Sequence, residues 1–256
     1  MKLIDTHAHL FSEEFDRDRT EVVERAIAAG VTKMFLPNID SSSIASLLKL
    51  EEQFPENCFA MMGLHPGSVN EKYGDELSIV EHWLAKRRFC AIGEIGMDYY
   101  WDKTFVPQQK DAFEKQLDLA KKYALPAIIH QRECFDDLFE IVRSKNDKNL
   151  RGIFHCFTGT LEQANKIIGL GGFKLGIGGV ITYKKSELPE TLKHIELNHI
   201  VLETDSPYLP PAPHRGKRNE SSYIALVVQK IAEVKGISVE EVAAITTKNS
   251  EEVFSL

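Results

Sequence analysis

Three residues at the end of the first apolar segment have the types and the spacing of a metal site. Asp5, His7 and His9 alternate along the chain directly after Leu3-Ile4. Residues two apart on an extended strand point to the same side, so these three side chains should share one face. Two imidazoles on one face can hold a divalent cation, and a nearby carboxylate can orient them. Taken alone, the pair is explained equally well as two solvated histidines.

Similar residues recur where later apolar segments end. Five of the nine histidines stand at such ends, and carboxylates stand at two of them. A single histidine is usually an ordinary polar residue, but a repeated placement at successive segment ends is hard to explain in that way. The residues concerned are His7, His9, His65, His130, His155, Glu94, Glu203 and Asp205.

Eight apolar, β-branched segments predict the strands that would position these side chains. Between them lie amphipathic stretches such as Asp18 to Ala29, Pro107 to Tyr123 and Thr160 to Leu170, which have the spacing of helices. No Gly-x-Gly-x-x-Gly follows the first strand, which weakens a dinucleotide-binding sheet. The pattern predicts an α/β fold, a closed (β/α)₈ TIM barrel whose active site lies at the carboxyl ends of the strands. The strands are expected near Leu3-Ile4, 34–36, 59–62, 90–92, 127–129, 152–154, 173–177 and 200–202.

The last part of the chain predicts two further helices, Tyr223 to Lys235 and Val239 to Thr246, packed on the outside of the barrel. With no linker or low-complexity segment, residues 1–256 are expected to form one domain.

Composition limits the classes of function. The formal net charge of -7 argues against broad adhesion to duplex DNA, although a local basic patch could still bind a few phosphates. The four cysteines are scattered with no Cys-x-x-Cys pair, which indicates reduced thiols. No signal peptide or membrane-length apolar run is present, so we expect a cytoplasmic protein that does not enter a membrane.

Six motifs in order resemble the TatD family of metal-dependent deoxyribonucleases, within the amidohydrolase group of barrels. Two positions depart from the family pattern: Met97 stands where leucine is commoner, and Ser221 where proline is expected. The motifs are Asp-Thr-His-Ala-His at 5–9, Gly-Leu-His-Pro at 63–66, Gly-Glu-Ile-Gly-Met-Asp-Tyr-Tyr at 93–100, His-Gln-Arg at 130–132, His-Cys-Phe-Thr-Gly at 155–159 and Glu-Thr-Asp-Ser-Pro-Tyr-Leu at 203–209.

The resemblance implies two divalent metal ions, with Mg, Mn or Zn as the candidates. Glu94 would bridge them, since one carboxylate can span cations about 3.5–4 Å apart. Asp205 would be both ligand and catalytic base. Glu203, two residues earlier, is expected either to take part in catalysis by orienting water or a histidine, or to have a purely structural role. The implied metal ligands are His7, His9, Glu94, His130, His155 and Asp205.

Substrate contacts are assigned to basic residues near the predicted mouth. His65, Arg132, Arg215 and Arg218 could bind phosphate oxygens, although a basic run such as 214–218 is often only a solvated loop. The segment Tyr99-Tyr100-Trp101 could stack on an unpaired base, or simply pack.

The leading hypothesis is a metal-dependent hydrolase of phosphodiester bonds in DNA, a 3′-5′ exonuclease on single-stranded DNA, with RNA as a further candidate substrate; its polarity comes from the resemblance alone. One alternative is hydrolysis of another ester or a C–N bond, such as D-aminoacyl-tRNA deacylation. Another is a non-catalytic barrel that binds metal or nucleic acid, but this would predict lost ligands, and all six are present. No obligate protein partner is predicted.

Overall fold

The computed structural model describes residues 1–256, in which strands and helices alternate along the chain. Short 3₁₀ turns occur in several loops. The strands are β1 (Leu3–Asp5), β2 (Val31–Leu36), β3 (Cys58–Ala60), β4 (Ile92–Asp98), β5 (Ala127–Arg132), β6 (Gly152–Phe154), β7 (Phe173–Ile177) and β8 (Ile200–Leu202). The helices are α1 (Arg19–Ala28), α2 (Ile44–Gln53), α3 (Tyr73–Lys86), α4 (Val106–Tyr123), α5 (Phe135–Lys145), α6 (Leu161–Gly169), α7 (Leu188–Lys193), α8 (Ile224–Lys235) and α9 (Val239–Phe254).

All strand pairs are parallel and follow chain order, β1 to β3 in one group and β4 to β8 in another. Backbone contacts join the two groups at both seams. Met62 pairs with Ile92 between β3 and β4, and the amide of Thr6 donates to the carbonyl of Leu202 at 3.0 Å between β1 and β8. The predicted (β/α)₈ barrel is therefore confirmed.

The strand positions agree with the apolar segments, except that β4 lies further along the chain than expected. It continues to Asp98, with all seven residues buried, so Glu94 lies within the strand rather than after it. The cause is pairing with β5, which extends through Gly96, Met97 and Asp98 beyond an irregularity between Ile92 and Ile95. A capping box begins α6: the Thr160 hydroxyl accepts from the Gln163 amide, and the Gln163 side chain accepts from the Thr160 amide.

Helix α9 is longer than predicted and does not lie on the barrel side. Thr247 and Asn249 have the polar character of an exposed helix end, yet both are buried. The Asn249 amide donates to the carbonyls of Leu197 and Ile200 at 2.7 Å each, and the Thr247 hydroxyl donates to the carbonyl of Lys2. The helix therefore covers the amino end of the barrel, because its polar groups satisfy backbone groups there.

A small apolar cluster, which we call the barrel floor, fills that end of the barrel. The ring of Phe254 from α9 stacks on Phe35 with 3.7 Å between centroids. With this end filled by apolar side chains, polar chemistry is confined to the opposite end. The barrel floor consists of Ile4, Phe35, Met61, Ala91, Ile128, Ile153, Val201, Val253 and Phe254.

None of the helices has both the length and the apolar character that a membrane span requires.

Candidate metal centre

The strands bring the predicted metal ligands together at the carboxyl end of the barrel. Four of them converge in one group, which we call the first donor group: His7, His9, Glu94 and Asp205. The Nε2 atoms of His7 and His9 are 3.2 Å apart. The Oε2 atom of Glu94 lies 3.1 Å from the first and 3.4 Å from the second. The Oδ1 atom of Asp205 lies 3.7 and 3.6 Å from the same two nitrogens.

The other oxygen of Glu94 faces a second donor group, formed by His130 and His155. Its Oε1 atom lies 2.8 Å from Nδ1 of His130 and 2.8 Å from Nε2 of His155. One buried carboxylate thus presents a separate oxygen to each pair of histidines, which is the arrangement of a bridging ligand.

The donor atoms suit a divalent transition metal. A tetrahedral ion with bonds of about 2.1 Å separates its ligand atoms by about 3.4 Å, and the five separations in the first donor group lie between 3.1 and 3.7 Å. Imidazole nitrogens with carboxylate oxygens suit Zn or Mn, and carboxylates also suit Mg. His7, His9 and Glu94 are almost fully buried, and such a set of converging donors is stabilised by bound cations.

Electrostatic coupling within the centre is strong. Burial would raise the pKa of Glu94, but the charges of His155, His7 and His65 lower it well below its ordinary value. Burial would lower the pKa of His155, but Glu94 and Glu203 raise it well above the ordinary value. The pKa of Asp205 rises to about 6, mainly through burial. Glu94 is therefore anionic. A cation that binds His155 must displace the proton that the raised pKa keeps on this ring.

Glu203 lies behind His155 instead of at the mouth. Its side chain is completely buried, accepts from the amide of Cys156 at 2.5 Å, and has Oε1 3.5 Å from Nδ1 of His155. A Cβ on Gly176 would approach its Oε2 atom to 2.1 Å, so the glycine leaves the space this carboxylate needs. Glu203 is thus placed to orient His155, with the Nε2 atom of that ring left for the centre.

Asp5 holds in place the segments that carry the first donor group. Its carboxylate accepts from the amide and hydroxyl of Thr204 at 3.0 and 2.6 Å, and from the amide of His7 at 3.3 Å. It thereby links β1 to the residue before Asp205 and fixes two ligand-bearing segments relative to each other.

Sequence reasoning assigned no role to Asp98, although Asp98 contacts a candidate ligand. Its Oδ2 atom lies 2.9 Å from Nε2 of His130, whose other nitrogen faces Glu94. This carboxylate–histidine pair fixes the ring so that Nδ1 faces the centre. Its position within the 93–100 motif, four residues after Glu94, was the available signal.

Two buried glutamines of α4 were also missed. Gln109 accepts from the amide of Asp98 at 2.9 Å and donates to its carbonyl, and Gln116 makes the same pair of bonds with Leu64. Each side-chain amide thus pairs with both backbone groups of one residue, Asp98 at the end of β4 in one case and Leu64, directly before His65, in the other. Glutamines on an amphipathic helix give no sequence signal of such a role.

His65 is close to the centre but suited to donating a hydrogen bond. Its Nδ1 atom accepts from the amide of Gly67 at 2.9 Å, so its hydrogen is on Nε2, which lies 3.6 Å from Oε1 of Glu94. That nitrogen can donate to a carboxylate or to a phosphate oxygen.

A cleft of about 780 Å³, which we call the metal cleft, opens above the donor groups. His65 and Arg132 line it, as predicted substrate contacts would. The Arg132 guanidinium lies 3.7 Å from the centroid of Tyr100, and Trp101 at the rim is 74% exposed. Within the segment 99–101, Trp101 is thus the aromatic side chain that lines the metal cleft and is open to a ligand.

Arg215 and Arg218 lie outside the lining of the metal cleft. Arg218 makes two hydrogen bonds of 2.7 Å to the carboxylate of Asp18 and one to the carbonyl of Glu14. Arg218 is thus paired with groups of the protein itself, whereas the sequence predicted a phosphate of the substrate as its partner. Arg215 is exposed, with its guanidinium 3.8 Å from the centroid of Tyr183.

Comparison with known proteins extends over nearly the whole chain. A family model described as "TatD related DNase" matches residues 4–255. "Uncharacterized metal-dependent hydrolase YabD" of Bacillus subtilis is 38% identical over 255 residues, 99% of each chain. "3'-5' ssDNA/RNA exonuclease TatD" of Erwinia tasmaniensis is 32% identical over 99% of this chain and all of its own.

A solved structure agrees with these matches. The crystal structure of YjjV, a TatD homologue from Escherichia coli, superposes with a TM-score of 0.93 at 32% identity, covering 99% of this chain and 98% of the other.

Proposed function

The chain belongs to the TatD family of metal-dependent hydrolases, and we propose that it hydrolyses phosphodiester bonds of single-stranded nucleic acid from the 3′ end. The observation that carries this proposal is the placement of Glu94, whose two oxygens face separate donor groups. Cations held by His7, His9, Glu94 and Asp205 and by His130 and His155 would supply Lewis-acid stabilisation to the attacking and leaving oxygens of a phosphodiester.

The side chains around the donor groups have separate roles in the proposed reaction. Asp205 lines the metal cleft and accepts the proton of the attacking water. Glu203 and Asp98 hold the rings of His155 and His130 in place. His65 and Arg132 donate hydrogen bonds to phosphate oxygens, while Arg132 remains stacked on Tyr100.

Two observations support a single-stranded substrate. Trp101 lines the metal cleft and is 74% exposed, and an unpaired base can stack on such a side chain. The Erwinia relative is named as an exonuclease of single-stranded DNA and RNA. Duplex DNA would have to unpair before its end reached the buried donor groups.

The test is turnover of end-labelled substrates by metal-reconstituted protein. Single-stranded DNA, duplex DNA and single-stranded RNA carry the label at either end, so that the order of products gives the polarity. We expect cleavage of single strands from the 3′ end. Asp205→Asn should reduce turnover by about 10²–10⁴-fold, and Asp147→Asn, an exposed carboxylate before β6, is the control.

Failure to cleave any nucleic acid, with hydrolysis of a carboxylic ester or an aminoacyl-tRNA instead, would reject the phosphodiesterase proposal. Equal rates on single and double strands would reject the preference for single strands, and products from the 5′ end would reject the polarity.

A further inference from the structure

A second cleft, which we call the basic cleft, lies beside the metal cleft. It has a volume of about 510 Å³, and its lining includes Tyr183, Lys184, Lys185 and Arg215 but no carboxylate. Three cationic side chains thus line one concavity, although the chain as a whole has a formal net charge of -7. The local charge therefore favours an anionic ligand.

The three cations remain available to such a ligand. Lys184, Lys185 and Arg215 are exposed and have no carboxylate partner, whereas the nearby Arg218 is neutralised by Asp18. Arg215 is oriented by stacking on Tyr183 rather than by hydrogen bonds. Because stacking uses the face of the guanidinium, its N–H groups stay free to bind phosphate oxygens.

The walls of the basic cleft are fixed by hydrogen bonds. The Tyr183 hydroxyl donates to the carbonyl of Pro210 at 3.1 Å. The Thr182 hydroxyl accepts from the amide of Ala212 at 2.8 Å and donates to the carbonyl of Gly179 at 2.7 Å. These bonds tie the segment after β7 to the segment after β8, so the backbone that forms the cleft is held in place before a ligand binds.

The two clefts adjoin each other. Val180 lines both of them, and the loop that carries Arg215 begins at the candidate ligand Asp205. The exposed Trp101 belongs to the segment after β4, which lies across the barrel mouth from the segment after β8. A strand whose end lies at the donor groups therefore has an aromatic surface on one side and a cationic one on the other.

We propose that the basic cleft binds the backbone phosphates of the substrate strand on the side of the donor groups away from Trp101. This inference rests on the proposed function, since it assumes that the substrate is a polynucleotide. It assigns Lys184, Lys185 and Arg215 to binding of non-scissile phosphates, with Tyr183 as the support that orients Arg215.

The test compares a long and a small phosphodiester substrate. The double variant Lys184→Ala/Lys185→Ala and the single variant Arg215→Ala are assayed on single-stranded oligonucleotide and on bis(4-nitrophenyl) phosphate, which is too small to reach the basic cleft. The control is Lys148→Ala/Lys248→Ala, which removes two exposed lysines, one from the loop before β6 and one from α9.

For the oligonucleotide we expect a higher KM and a weaker salt dependence. Each phosphate contact on a single strand contributes about 0.7 to the slope of log affinity against log salt concentration. The lysine double variant should therefore lose about 1.4 from that slope, and Arg215→Ala about 0.7. Activity on the small diester and the behaviour of the control should match wild type.

The outcomes separate the two proposals. If wild type cleaves the oligonucleotide and the variants have the same KM and the same salt dependence of binding, the basic cleft has no role in binding. This inference is then rejected, and the proposed function is unaffected. Equal loss on both substrates also overturns it, because the residues would then act on the donor groups. If wild type hydrolyses the small diester but no oligonucleotide, the proposed function falls.

Discussion

Replacing Glu203 by glutamine tests whether this carboxylate orients a metal ligand or acts in turnover. Glutamine keeps the shape and can still accept from the amide of Cys156, but it removes the charge 3.5 Å from Nδ1 of His155. Loss of a partner that orients a metal-binding histidine costs about 10–100-fold in metal affinity, which is about 1.4–2.7 kcal/mol.

The same free energy should appear in thermal unfolding. A bound metal stabilises the folded state by an amount that depends on its affinity, so at a fixed excess of metal this increment should fall by about 1.4–2.7 kcal/mol in Glu203→Gln. In a chain of this size each kcal/mol corresponds to about 2–4 °C. The metal-induced rise in Tm should therefore shrink by about 3–11 °C.

The assay pairs metal titration by calorimetry with thermal unfolding, with and without metal, for wild type and Glu203→Gln. Saturating metal should restore most of the turnover, since the defect is in binding. Unchanged metal affinity together with lost turnover would refute the reasoning, because Glu203 would then act on the reaction itself.

Three further perturbations have expected outcomes. Glu94→Gln should lower metal binding at the two donor groups together, because one carboxylate faces both of them; elemental analysis that finds one of two equivalents of metal fully retained would contradict bridging. Arg218→Ala should reduce unfolding free energy by about 1 kcal/mol through loss of its bonds to Asp18, with the salt slope of oligonucleotide binding unchanged; a lower slope would return Arg218 to phosphate binding. Phe254→Ala should cost about 3–5 kcal/mol in urea unfolding, since a stacked, buried ring is removed from the barrel floor; a cost below about 1 kcal/mol would mean that α9 does not hold this end closed.

The barrel and the family resemblance could be predicted from sequence because both depend on short, continuous segments of the chain. Six of the eight apolar segments are followed closely by candidate site residues, as in Leu3-Ile4 before His7, so strand prediction also places those residues at the barrel mouth. The match to the family model confirms the resemblance.

The features that were missed depend on contacts between distant parts of the chain. Arg218 pairs with Asp18, 200 positions away, and nothing near Arg218 in sequence indicates that partner. Gln116 and Asn249 look like surface residues of amphipathic helices, but each is buried against backbone groups of another segment. Local patterns report which side of an element is apolar, and they do not report which backbone groups need a hydrogen-bond partner.

The cover that α9 forms over the amino end of the barrel has a consequence for the order of folding. Its contacts join the two ends of the sequence: Thr247 bonds to Lys2, and Phe254 stacks on Phe35 of β2. Contacts of such long sequence separation form slowly, because closing a long loop costs conformational entropy before the contacts contribute. We therefore expect the strands to associate before their amino end is covered, with the apolar barrel floor exposed to solvent until then. Slow docking of α9 would prolong that exposure, so this step is where aggregation competes with folding.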